Sequence, residues 1–136
     1  MDAAGRTRTA LDARPARGTA AQARGVAAEA VAVAALVADG WAILGRRVRT
    51  PAGEVDIVAA RGAMLAFVEV KARPSLVESA YALSSRQMRR LTAAAGWLLA
   101  EHPEWARADT RFDVILVDAA GAVRRVTDAF RASEQS

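Results

Sequence analysis

GEVDIV at residues 53–58 and FVEVK at residues 67–71 decide the fold of this 136-residue chain. In both stretches polar and apolar residues alternate, and β-branched or aromatic residues are frequent, so both are predicted to be strands. A glycine is the turn residue between them, and a two-residue loop, Gly62-Ala63, fits a type II′ hairpin turn. This loop pairs Arg61 with Met64 and thereby sets the register of the hairpin.

That register places charged residues opposite each other, and one of the two pairs consists of two acids. Asp56 falls opposite Glu69, and Glu54 falls opposite Lys71. Facing carboxylates would lie about 5 Å apart and destabilise the sheet, by roughly 3 kcal/mol at an effective dielectric near 20. A cation between them would turn the repulsion into a binding site, and Mg²⁺ and Ca²⁺ prefer such oxygen ligands. The other face of the hairpin is predicted to be core and carries Val55, Ile57, Val68 and Val70.

Lys71 is the one lysine of the chain, which otherwise uses 18 arginines as its strong cations. A compact ammonium next to two acids suits roles that a guanidinium does not fill, such as steadying a metal-bound water or a scissile phosphate. Two plainer interpretations remain open. In the first, the charges form a solvated hairpin edge; in the second, Lys71 forms an ion pair with Glu54.

Three of these residues carry a family resemblance. Asp56, Glu69 and Lys71, spaced as Asp-x(12)-Glu-x-Lys on adjacent strands, resemble the motif of the PD-(D/E)xK nuclease superfamily. The phrases GEVDIV and FVEVKAR, with RFDVILV downstream, are similar to the small bacterial UPF0102 (YraN-like) family over roughly residues 20–130. That family is considered similar to archaeal Holliday-junction resolvases. The resemblance implies a restriction-endonuclease-like fold and hydrolysis of phosphodiester bonds with Mg²⁺ or Mn²⁺.

The resemblance also implies roles for individual residues. Asp56 and Glu69 would ligate the metal, with the Val70 carbonyl as a backbone ligand. Lys71 would orient or deprotonate the attacking water. In the resembled families a glutamate on the first helix joins the metal site, and Glu29 matches it; it would complete the metal shell or hold an outer-shell water.

Glu29 lies on a predicted helix that begins with the capping box Thr19-x-x-Gln22 and runs to about Gly40. It interrupts the apolar stripe of that helix, and an acid on a buried face needs a partner. The alternative is an exposed acid at the edge of the stripe. The predicted stripe consists of Val26, Ala30, Val33, Ala34 and Val37.

An arginine cluster, Arg46, Arg47 and Arg49, ends the next predicted strand, residues 41–48. Two interpretations are equally open. The arginines bind phosphates next to the acidic pair, or they form a solvated strand edge. The resembled UPF0102 sequences usually have Asn at the position of Arg47.

Ser84 begins a second predicted helix that runs to about Glu101, and Gln87 completes its capping box. Some related nucleases place a Gln on this helix near the metal, so a role behind the metal ligands is the alternative for Gln87. Trp97 on this helix could stack on a base, as could Tyr81 and Trp105. The preferred interpretation places Trp97 in the core and Trp105 in the following loop.

Composition excludes several kinds of site. The chain has no cysteine, which rules out thiolate zinc sites, thiol nucleophiles and disulfides. His102 is the one histidine and cannot form a zinc cluster alone. Any metal site must therefore be built from oxygen ligands. The net charge is +4, and the basic N-terminal residues contribute half of it, so the remaining body is only weakly basic.

The predicted order of elements, α-β-β-β-α-β-β, gives an α/β sandwich with a mixed central sheet and helices on its faces. Residues 1–18 are predicted to be a disordered basic arm, residues 19–131 the endonuclease-like domain, and residues 132–136 a flexible tail. No apolar run is long enough to cross a membrane, so a cytoplasmic protein is expected.

The residues and the resemblance together predict an endonuclease-like protein that acts on nucleic acid. DNA is the favoured partner and branched DNA a candidate substrate, and RNA stays open as the alternative. Resolvase-like enzymes work as dimers, so a homodimer is a further expectation. The alternative function is a non-catalytic nucleic-acid- or protein-binding module on a retained nuclease fold. The intact Asp56, Glu69 and Lys71 favour the enzyme, and the weakly basic body favours the binding module.

Overall fold

The structure, a computed structural model, describes residues 19–76 and 83–130, and side chains from residue 25 onward. The expected arm at residues 1–18 and tail at residues 132–136 lie outside the described residues. The elements are helix α1 (Thr19–Ala38), strands β1 (Ala42–Thr50), β2 (Gly53–Arg61) and β3 (Met64–Arg73), helix α2 (Ser85–Glu101), a 3₁₀ turn (Pro103–Trp105), and strands β4 (Asp109–Asp118) and β5 (Val123–Phe130). Neither described helix is long and apolar enough to cross a bilayer.

The five strands form one mixed sheet in the order β1-β2-β3-β4-β5. Neighbouring strands are antiparallel except for β3 and β4, which are parallel. A parallel pair needs a long crossover connection, and α2 lies within it. The predicted α/β architecture with a mixed sheet and two helices is therefore confirmed, and it is consistent with a restriction-endonuclease-like fold.

Each face of the sheet is covered by one helix, which gives two cores. On one face α2 contributes Leu91, Ala94, Ala95 and Leu98, which pack with Phe67 and Leu65. On the other face α1 contributes Ala28, Ala32 and Leu36, which pack with Ile57, Val68 and Trp41. Because both faces are buried, the charged end of the hairpin lies at the border of two apolar layers.

The predicted apolar stripe of α1 was wrong. Val26 and Val37 are 47% and 55% exposed, and Ala30 and Ala34 are exposed as well. The buried face consists instead of Ala28, Ala32 and Leu36, which recur every four residues, and of the predicted stripe only Val33 packs, half-buried, against the same core. The helix is apolar on nearly every side, so hydrophobicity does not distinguish its faces.

The β2–β3 hairpin has the predicted turn and register. Arg61 pairs with Met64, and the backbone ladder continues to the pair Ile57 and Val68. Gly62 has φ +56°, whereas Ala63 has no positive φ, which is the combination of a type II′ turn. The ladder between the two strands ends one step before Asp56 and Glu69.

One part of the predicted hairpin core was wrong, because β2 rotates about its own axis at Asp56. Ile57 packs on the α1 side, and strict alternation would put Val55 there too. Val55 packs instead on the α2 side with Val58. The rotation occurs where the β2–β3 ladder ends and where Arg47 on β1 adopts a positive φ of 49°.

Candidate functional site

Asp56 is held by the backbone of the neighbouring strand. Its Oδ2 accepts a hydrogen bond of 2.8 Å from the N–H of Val70. The side chain thus takes the position that a backbone carbonyl of β2 would fill if the ladder continued. This bond fixes the Asp56 carboxylate next to Glu69, the residue before Val70, in the opening between β2 and β3.

Asp56 is also the acid whose ionisation is most strongly perturbed. Burial is the largest cause, and the Glu69 carboxylate is the next; together they raise the pKa of Asp56 from 3.8 to about 7. The Val70 N–H opposes them, while Glu29 and Glu54 add smaller repulsions. Near neutral pH the protonated and ionised forms of the Asp56 carboxyl are consequently both populated.

Glu69 is only 5% exposed and carries two cationic partners. Its Oε2 lies 3.1 Å from Nζ of Lys71 and 3.3 Å from Nη2 of Arg90. Both contacts fall on the same oxygen, and within the described part of the chain no hydrogen bond to Oε1 is formed. The proposed Glu54–Lys71 ion pair is not formed, because Lys71 pairs with Glu69 and Glu54 lies 3.7 Å from Arg49.

Arg90 is a site residue that sequence reasoning missed. It reaches from α2 to Glu69, and its Nη1 also donates a 2.9 Å hydrogen bond to the carbonyl of Glu54. The arginine stem lies over Gly53, where a Cβ would come within 2.9 Å of Arg90 Cδ. The sequence did contain a sign of this role. Arg90 directly precedes the core residue Leu91 on α2, so its side chain lies at the edge of the buried face of the helix.

Glu29 is buried, at 6% exposure, so the interpretation of it as an exposed acid is wrong. Its Oε1 accepts a 2.9 Å hydrogen bond from Nε of Arg47 and lies 3.7 Å from Nη2 of Arg46. Two members of the arginine cluster therefore neutralise this acid. Gln87 forms the predicted capping box, with its side chain accepting from the Ser84 N–H.

The candidate base-stacking residues differ in their surroundings. Trp97 is 48% exposed, so its predicted place in the core was wrong. Trp105 stacks on His102 with ring centroids 3.9 Å apart. Tyr81 lies outside the described residues.

The acidic side chains of the site provide a small set of oxygen donors for a metal ion. Across residues 19–76 and 83–130, no three acidic or histidine side chains are grouped to hold one. Asp56 and Glu69 supply two carboxylates, and among the described residues no cation is paired with Asp56 although burial and Glu69 raise its pKa. A hard divalent cation fits this pair and would remove their repulsion. Glu29 as a further ligand stays a prediction, as does the carbonyl of Val70.

Known proteins match the part of the chain that contains this site. The model of the uncharacterised protein family UPF0102 matches residues 28–117, which include Glu29, Asp56, Glu69 and Lys71. A UPF0102 protein of Granulibacter bethesdensis is 61% identical over 101 residues, 74% of this chain and 64% of that protein. The chain thus spans less than two thirds of that relative. UPF0102 proteins of Bradyrhizobium diazoefficiens and Acidiphilium cryptum are 52% and 48% identical over 99 and 97 residues. These matches cover 72% and 71% of this chain and 74% and 75% of the relatives.

Proposed function

The chain belongs to the uncharacterised protein family UPF0102, and we propose that it is a metal-dependent endonuclease-like protein that hydrolyses phosphodiester bonds in nucleic acid, with DNA as the preferred substrate. The observation that carries this proposal is Asp56. It is a largely buried carboxylate beside a second acid, its pKa is raised to about 7, and no cation among the described residues is paired with it. Ionisation of such a group is unfavourable, and a bound divalent cation would stabilise the ionised form.

Mg²⁺ or Mn²⁺ would be held by Asp56 and by Oε1 of Glu69, with the carbonyl of Val70 as a third donor and Glu29 as a fourth. A metal in this position would supply activation of water and neutralisation of charge on the phosphate. The hydrogen bond from the Val70 N–H to Asp56 orients the carboxylate before any ligand arrives. Orientation in advance lowers the cost of assembling the site.

Lys71 and Arg90 contribute positive charge without being ligands. Lys71 Nζ lies 3.1 Å from Glu69. As the ammonium it can hold an attacking water by donating a hydrogen bond to it, and only as the neutral amine, after it has given up a proton, can Nζ take a proton from that water. Arg90 cannot take that role, because a guanidinium does not lose its proton in proteins. It instead bridges Glu69 and the Glu54 carbonyl, and so ties the first turns of α2 to the hairpin.

A second candidate function, a non-catalytic binding module, is favoured by a different observation. Two of the three acids already have cationic partners: Glu69 pairs with Lys71 and Arg90, and Glu29 pairs with Arg47. A chain that retained the fold without the chemistry could keep those pairs as structural ion pairs. Only Asp56 has no such explanation within the described residues.

The test is a cleavage panel with the full chain in Mg²⁺ and in Mn²⁺, on linear, flapped and four-way DNA and on matched RNA. We expect cleavage by the wild type and none by Asp56→Asn, which keeps an oxygen for the Val70 N–H but removes the charge. Mn²⁺ binding by calorimetry should fall in the same variant. Metal binding without cleavage of any substrate would favour the binding module, and wild-type activity in Asp56→Asn would overturn the proposed site.

A further inference from the structure

Trp97 differs from every other aromatic ring in the described part of the chain. Phe112 stacks on both Phe67 and Phe130, and Trp105 stacks on His102. Trp41 lies under the guanidinium groups of Arg61 and Arg111, with distances of 4.8 and 5.4 Å to its ring. Trp97 has no such partner among the described residues and is 48% exposed. An unpartnered indole on the surface of a helix has a ring face available for stacking.

The position of Trp97 on α2 connects it to the acidic site. A helix turns about 100° per residue, so Arg90 and Trp97 lie on nearly the same flank of α2, two turns and about 10 Å apart. Arg90 contacts Glu69 in the acidic pair. Arg86 is one turn before Arg90 on this flank, and Arg89 is next to it; both are exposed and have no acidic partner among the described residues. One side of the helix therefore carries cations at the site and an indole beyond it.

We propose that this flank of α2, from Arg86 to Trp97, binds an unpaired stretch of the nucleic-acid substrate, with phosphates on the arginines and a base on Trp97. The proposal rests on the proposed function and names the substrate class of the same site. Charge complementarity selects the polyanion, because arginines without acidic partners are the usual contacts to phosphate. The indole selects unpaired nucleotides, since a base within a duplex is already stacked on both sides and presents no free face.

Spacing supports the same occupant. At about 3.4 Å of rise per nucleotide, the value for a stacked strand, the two helical turns between Arg90 and Trp97 correspond to at most about three nucleotides, and to fewer if the unpaired strand is more extended. A substrate held at Glu69 would thus place a base on Trp97 only if its strand is unpaired within a few nucleotides of the bond to be cut. The expected substrate is a duplex that carries a flap, gap or single-stranded arm, rather than a continuous duplex.

Binding without divalent metal tests the inference separately from hydrolysis. A labelled short oligothymidylate, the same strand with abasic residues, and a duplex of the same length would be titrated by fluorescence anisotropy in EDTA. Trp97→Ala should raise the Kd for the oligothymidylate by about 5- to 150-fold, the range that corresponds to alanine substitution of a base-stacking aromatic side chain. The same substitution should leave the Kd values for the abasic strand and for the duplex unchanged. Trp97→Phe should restore most of the affinity, because phenylalanine retains a stacking face.

The controls address the charged part of the flank and general surface effects. Arg86→Ala and Arg89→Ala should each lower the slope of log Kd against log salt by about 0.7, as expected for one phosphate contact on a single strand. Val37→Ala, at an equally exposed apolar residue on α1, should change nothing. Equal binding of the normal and abasic strands, or an unchanged Kd in Trp97→Ala, would overturn the inference. So would a wild type that binds no nucleic acid and uses Trp97 to self-associate, as seen by sedimentation.

The two proposals can fail independently. If Asp56-dependent cleavage occurs on continuous duplex and Trp97→Ala has no effect, the proposed function stands and the inference is wrong. If Trp97→Ala loses affinity for the single strand while no substrate is cleaved, the inference stands and the proposed hydrolysis is wrong.

Discussion

Arg47 lies opposite Asp56 across β1 and β2, yet its guanidinium binds Glu29. The flanking pairs are Arg46 with Ile57 and Val48 with Val55, so these two residues face each other in the register. The Nε of Arg47 is 2.9 Å from the Glu29 carboxylate, and Arg47 has a positive φ of 49°. A strained backbone thus directs the cation to one acid and leaves the neighbouring acid without an ion pair within the described residues.

Asp56 makes stability depend on pH in a direction that is unusual for an aspartate. Its folded pKa of about 7 lies above the ordinary 3.8, so the folded state holds the proton more tightly than the unfolded state. Its contribution to stability is therefore present below pH ~4 and is lost as pH rises toward ~7, by up to about 4 kcal/mol for a shift of this size.

Asp56→Asn should remove that dependence. We expect the variant to match the wild type near pH 4 and to exceed it at pH 8 in free energy of unfolding, measured by urea titration at both pH values. Addition of Mg²⁺ should stabilise the wild type more at pH 8 than at pH 5, and should not stabilise the variant. A variant less stable than the wild type at pH 8 would contradict the raised pKa.

Arg47→Asn should release Glu29 toward the acidic pair. Asn tolerates a positive φ better than Arg does, so relief of backbone strain offsets part of the lost ion pair. With one cation fewer near the site, Mn²⁺ affinity should rise about tenfold by calorimetry, which corresponds to about 1.4 kcal/mol.

The matched control is the double variant Arg47→Asn with Glu29→Gln, in which the gain in Mn²⁺ affinity should disappear. If the gain persists in the double variant, Glu29 is not a metal ligand and the arginine acts only through its charge. If Arg47→Asn lowers Mn²⁺ affinity, the guanidinium does not compete with the metal at all.

Lys71→Arg separates a chemical role from an ion pair. If Lys71 takes a proton from water, Lys71→Arg should abolish Mn²⁺-dependent cleavage while nucleic-acid affinity stays nearly the same, because guanidinium does not lose a proton usefully. If the lysine serves only to neutralise Glu69, 3.1 Å away, the arginine should be tolerated. Wild-type cleavage by a folded Lys71→Arg protein under saturating Mn²⁺ would count against the chemical role.

Gly53→Ala should disturb the site through Arg90. A Cβ at Gly53 would approach Arg90 Cδ to 2.9 Å, and the residue has φ +138°, so about 2 kcal/mol of destabilisation is expected. Gly121→Ala is the control: its φ of +87° strains the backbone, but no atom lies within 4 Å of the added Cβ.

A double-mutant cycle identifies the clash. Arg90→Ala removes the side chain that the new methyl group meets, so Gly53→Ala should cost less in that background than in the wild type, by thermal or urea unfolding. Gly121→Ala should cost the same in both backgrounds. Strictly additive effects at Gly53 and Arg90 would show that strain alone accounts for the loss.

Local chemistry explains what the sequence predicted correctly. The turn glycine set the register from Arg61 and Met64 onward, and the capping box fixed the beginning of α2 at Ser85. Both features depend on neighbours in the chain. The structure therefore has both features as predicted, and it also has the predicted order of helices and strands.

Tertiary geometry explains what the sequence missed. The faces of α1 could not be distinguished, because a helix of Ala and Val is apolar on nearly every side. The rotation at Asp56 moved Val55 to the other core, and it arises where the β2–β3 ladder ends. Arg90 was missed as a site residue because its partners, Glu54 and Glu69, come from two different strands.

The parallel pairing of β3 with β4 has a consequence for how the site comes into being during folding. The β2–β3 hairpin is local and can form early, but its ladder ends before Asp56 and Glu69. The backbone of Glu69 and Lys71 is paired instead with Val114 and Leu116 of β4, which arrives only after the α2 crossover has been completed. We therefore expect a fragment that ends before Asp109 to contain Asp56, Glu69 and Lys71 without ordering them. The site forms only when β4 has joined the sheet.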